Sequence, residues 1–119
     1  MDLPQAPIAC NMAGLDAAAR DRRHTLARRL GAMTREIQEQ RDGYAFRYPA
    51  DELPVAAEFV SLERRCCPFF RFVLTLAPND GPLWLSITGQ DGVKAFLVTE
   101  LGDELGLNST SGPAWKAGG

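Results

Sequence analysis

The proline at position 68 stands where the pattern of the chain changes, and this change of period constrains the fold more than any other feature. Before it, Val55, Phe59, Leu62 and Cys66 recur at spacings of four, three and four, which places them on one face of a helix. After it, Phe70, Phe72, Leu74 and Leu76 alternate with Phe69, Arg71, Val73 and Thr75, the period of a strand. Proline disfavours helical geometry at the residue before it. The helix is therefore expected to end by about Cys66 and to leave Cys67 extended, with the two thiols departing in different directions.

The same reasoning covers the rest of the chain. Asp16 can cap a helix on which Ala19, Leu26, Leu30, Met33 and Ile37 share a face, running to about Gln40 and stopped by Asp42-Gly43. Tyr44, Phe46 and Tyr48 then alternate as a strand that Pro49 ends, and Asp51 caps the second helix with Pro54 in its first turn. Turn residues from Ala77 to Pro82 join the strand after Pro68 to a partner carrying Leu83, Leu85 and Ile87. Gly89-Gln90-Asp91-Gly92 opens a third helix, capped by Asp91, whose Val93, Phe96, Leu97 and Leu101 face the sheet. The predicted architecture is α+β in the order α-β-α-β-β-α, a three-stranded antiparallel or mixed sheet covered by helices. Residues 1–13 read as an extended N-terminal arm, 14–105 as a single α+β domain and 106–119 as a flexible tail. A three-stranded sheet has open edges, so a homodimer is expected.

Composition limits the function. A chain of 119 residues that is 45% hydrophobic and 24% charged has the length and balance of one globular domain. Its net charge of -2 supplies no overall attraction for nucleic acid or an acidic membrane. No secretion signal precedes Cys10 and no apolar run approaches spanning length, so the reading is a cytoplasmic protein. Three cysteines, an odd number, are then expected to be reduced.

Cys10, Cys66 and Cys67 are the residues that carry chemistry. Thiolates are soft ligands, so the leading expectation is a soft metal ion of the Cu, Zn or Hg class, held by the adjacent pair with Cys10 brought in by the arm. Sequestration or transfer of that ion would be the task. A closed zinc site needs four ligands, and would need His24, an Asp or a Glu to complete it. His24, Glu63 and Arg64 are the supporting candidates. His24 is the only histidine, Glu63 lies one helical turn before Cys66, and Arg64 with Arg65 would favour a thiolate that the helix C-terminus opposes. An ion pair of Glu63 with Arg64, Arg65 or Arg28 is expected. The main alternative is a redox or nucleophilic enzyme using Cys10 with Cys66 or Cys67, since a disulfide between sequence neighbours is strained. A further alternative is a dimeric interaction module whose cysteines pack as small hydrophobes. Phe69, Phe70, Phe72 and Trp84 read as core rather than as the lining of a pocket.

The runs Glu63-Arg64-Arg65-Cys66-Cys67-Pro68-Phe69, Gly81-Pro82-Leu83-Trp84-Leu85 and Thr88-Gly89-Gln90-Asp91-Gly92-Val93-Lys94-Ala95-Phe96-Leu97 resemble a family of small, uncharacterised bacterial proteins. Ile8-Ala9-Cys10-Asn11 extends the resemblance to about residues 8–101. It implies a bacterial origin and a common role for the three cysteines, and it brings no activity with it.

Overall fold

The computed structural model describes residues 8–107, so the expectations for residues 1–7 of the arm and 108–119 of the tail lie outside the described residues. Asp16 opens the first helix as expected, its side chain accepting a 2.8 Å hydrogen bond from the Ala19 N–H. Helix α1 covers Ala17–Met33 and buries Arg23, Leu26, Ala27 and Leu30. It stops well short of Gln40. Thr34 turns to extended geometry while its hydroxyl donates to the Leu30 carbonyl at 2.8 Å, closing the last turn.

The residues expected to finish that helix form a strand instead. Strand β1, Glu36–Gln40, pairs antiparallel with β2, Gly43–Tyr48, across Arg41-Asp42. Register decides the matter physically: Ile37 lies opposite Phe46 and is buried with it. Gly43 is therefore no helix stop. A Cβ there would lie 1.9 Å from the Ile87 carbonyl oxygen, so the absence of a side chain lets β2 and the strand beside it close up.

A short 3-10 turn, Ala50–Glu52, leads into α2, Leu53–Cys66, with Pro54 in its first turn. Glu52, not Asp51, stands at the cap position, and its carboxylate pairs with Arg29 of α1 instead of capping. The helix ends at Cys66, as Pro68 requires, and Cys67 is non-helical (φ -127, ψ 72). Strands β3, Arg71–Leu76, and β4, Leu83–Thr88, follow as the expected hairpin. Helix α3, Val93–Leu105, starts from Gly92 in the left-handed region (φ 94) with no side-chain cap, so Asp91 does not play the role expected of it.

The fold is α+β, in the order α-β-β-α-β-β-α, with a four-stranded sheet β1-β2-β4-β3 whose neighbours are all antiparallel. The extra strand is β1. Cross-strand rows such as Phe46–Leu85–Leu74 put apolar side chains on the face that meets the helices. There Phe46, Tyr48, Leu83, Leu85 and Ile87 form one core with Leu26, Leu30, Phe59, Leu97 and Leu101. Burying each such side chain stabilises the fold by roughly 1.5–3 kcal/mol before the entropy of ordering it is set against the gain. Among the described residues no helix is long and apolar enough to cross a membrane.

Candidate metal centre

The site is built where the N-terminal segment crosses the end of α2. The last carbonyls of a helix have no partner within it. One of these, on Cys66, accepts the Asn11 N–H. Upstream, Ile8 packs beside Gly92, where an added Cβ would come within 3.1 Å of the Ile8 side chain. Downstream, Met12–Gly14 makes a single 3-10 turn that leads to the buried Leu15. These contacts hold Cys10 against Cys67.

Cys10 and Cys67 are joined as a disulfide, with Cα atoms 4.7 Å apart and a sequence separation of 57. The expectation of three reduced thiols is corrected to one free thiol, on Cys66. That thiol is fully buried, donates to the Glu63 carbonyl at 3.6 Å and lies 3.7 Å from the Cys67 sulfur. The two neighbouring sulfurs converge instead of diverging. The reason is local: the Cys67 N–H still bonds to the Glu63 carbonyl at 2.8 Å, which keeps Cys67 on the last turn although its own dihedrals have left the helix.

Glu63 is fully buried, and its Oε2 accepts from Nε of Arg23 on α1, itself only 8% exposed. The partner is thus none of the arginines expected from sequence. Arg64 and Arg65 are exposed, and the positive charge at the site comes across the helix interface. Arg23 Nη1 is also 3.6 Å from Glu104 of α3, whose other oxygen lies 2.6 Å from His24 Nδ1. His24 therefore marks the exposed end of a charged chain that begins at Glu63. Burial pushes the Glu63 carboxyl above its usual range, with Arg23 pulling the other way. Burial also pushes the Cys66 thiol up, reinforced by the charge of Glu63 and opposed by Arg23.

Cys10 Sγ, a Glu63 carboxylate oxygen and Cys67 Sγ lie within 4.8 Å of one another, close enough to hold a metal ion. Glu63 Oε1 is buried without a hydrogen-bond partner among the described residues, although buried polar atoms are normally satisfied. The same two sulfurs serve the disulfide and the donor set. Only one arrangement can exist at a time. Phe69 and Phe70 are buried, with Phe72 and Phe96 partly buried beside them, ring against ring at 4.8–6.0 Å, whereas Trp84, also expected in the core, is only half-buried because it alternates with the buried Leu83 and Leu85 on β4.

Sequence reasoning missed Arg23 and Glu104. Arg23 carried a signal: it stands in the stripe of Ala19, Leu26 and Leu30, as Glu63 stands in the stripe of Ala56, Phe59 and Cys66. Opposite charges within the apolar stripes of two helices imply that each neutralises the other. Comparison of the chain with protein-family models, with curated proteins and with solved structures gives no match.

Proposed function

We propose that this chain binds a soft metal ion of the Cu, Zn or Hg class through its clustered cysteines, for sequestration or transfer. The observation that carries the reading is the convergence of Cys10, Cys67 and Glu63 donor atoms within 4.8 Å, with the Cys66 sulfur beside them. Reduction of the disulfide by a dithiol, which supplies two electrons and two protons and is itself oxidised to a disulfide, yields two thiols, and a metal ion displaces their protons to form two metal–thiolate bonds.

The test is titration of fully reduced protein with Cu(I), Zn(II) and Hg(II), beside Cys10→Ser and the Cys66→Ser/Cys67→Ser double variant. Tight binding by the wild type, lost in both variants, is the expected result. Equal binding by all three proteins removes the reading.

A second reading, thiol–disulfide exchange, is favoured by the disulfide itself and by the 3.7 Å approach of Cys66 to Cys67. Attack of a Cys66 thiolate on the Cys67 sulfur would release Cys10 as thiolate and leave a disulfide between neighbours. Burial of Cys66 holds its proton on and works against that attack. Rapid alkylation of Cys66 near neutral pH would favour this second reading over the first.

A further inference from the structure

We infer that Glu63 is itself a ligand, so that the centre is a two-sulfur, one-oxygen site selective for a divalent ion such as Zn(II) over monovalent Cu(I). The inference rests on the metal-binding reading and deepens it by naming the charge class of the ion. Three observations meet at this residue. Its carboxylate is fully buried, its Oε2 is fixed by Arg23, and its Oε1 has no hydrogen-bond partner among the described residues while an oxygen of the group lies within 4.8 Å of both sulfurs. A carboxylate held on one side by a guanidinium and left bare on the other is arranged as an oriented metal ligand.

Charge selects the ion. With the disulfide formed, the two buried charges, Glu63 and Arg23, cancel, and the partly exposed Glu104, 3.6 Å from Arg23, adds the same charge to every state compared below. A dithiol reductant supplies two electrons and two protons, is itself oxidised to a disulfide, and leaves Cys10 and Cys67 as thiols. Loss of those two protons to an incoming ion gives two thiolates, which with the Glu63 carboxylate make three negative charges against the single positive charge of Arg23. Cys66 stays a neutral thiol, donating to the Glu63 carbonyl. A divalent ion brings the buried total to zero, whereas Cu(I) leaves one uncompensated negative charge, which is costly away from water. Oxygen donation points the same way, because carboxylate is a good ligand for Zn(II) and a poor one for Cu(I).

Glu63→Gln keeps the shape and removes one negative charge. The total then becomes zero with Cu(I) and positive with a divalent ion, so the preference should invert. The experiment reduces wild type and Glu63→Gln with a phosphine, removes the reductant, and measures Zn(II) and Cu(I) affinities by competition with chromophoric chelators. Zn(II) affinity should fall by about 10- to 100-fold, and Cu(I) affinity should hold or rise. An unchanged ratio of the two affinities overturns the inference while leaving the metal-binding reading intact. Failure of the wild type to bind either ion overturns the inference, and failure to bind Hg(II) as well overturns the metal-binding reading. X-ray absorption of zinc-loaded wild type needs no variant and covers the case in which Glu63→Gln does not fold. It should show two sulfurs at about 2.3 Å with oxygen at about 2.0–2.2 Å, and a shell of three or more sulfurs would overturn the assignment of Glu63.

Discussion

Helices α1 and α2 are tied by charge at both ends of α2, and the two ties differ in kind. At the entrance, Glu52 takes a two-pronged bond from Arg29, whose side chain is 54% exposed. At the exit, Glu63 and Arg23 are both buried, next to a disulfide and a free thiol. The entrance carboxyl is pulled below its usual range, chiefly by the hydrogen bond from Arg29, whereas burial lifts the exit carboxyl above it. One geometry of Arg on α1 with Glu on α2 thus gives opposite outcomes, because both carboxylates are buried but the guanidinium of Arg29 reaches water whereas that of Arg23 does not. The wet pair fastens the helices, and the dry one holds charge in reserve.

Substitutions should expose that difference. Arg23→Met strands the Glu63 charge and should cost about 3–5 kcal/mol in urea denaturation. The Arg23→Met/Glu63→Leu double variant should recover most of the loss, and equal destabilisation in the two would break the contrast. Next in size is Cys10→Ser, which removes a cross-link over 57 residues and should lower stability by about 4 kcal/mol under oxidising conditions. Under reducing conditions the variant and the wild type should unfold at nearly the same urea concentration.

Smaller effects belong to the entrance. Since the folded Glu52 carboxyl sits low, its pairing supports the fold at pH values above the usual carboxylate range and is lost as pH falls through the folded value. Glu52→Gln should therefore flatten the acid limb of the stability profile, and a variant with the wild-type slope would refute the contribution of Arg29. Smallest of all is Arg22→Met, which breaks the exposed pair with Glu58 midway along α2. Its melting temperature should match that of the wild type within error.

How far the sequence announces this arrangement varies along the chain. The β3–β4 hairpin was legible because apolar residues occupy alternate positions over its length, and the end of α2 was legible because proline acts on its immediate neighbour. Strand β1, Glu36-Ile37-Gln38-Glu39-Gln40, offers one apolar residue, too few to display a period, and Ile37 also continues the spacing of the helix before it. Only pairing with Phe46 distinguishes the two. Gly43 was ambiguous in the same way, since the close approach of Ile87 comes from a remote strand. At the site, the cysteines stood out by their adjacency and Glu63 by its distance of one turn. The partner of Glu63 was hidden, because Arg64 and Arg65 are its sequence neighbours while Arg23 meets it only once two helices have packed.

The bond between Cys10 and Cys67 encircles α1, both strands of the first hairpin and all of α2. A protease that nicks the backbone once anywhere inside this ring will not release a fragment. The nicked chain will run as one band on a non-reducing gel and as two after thiol treatment.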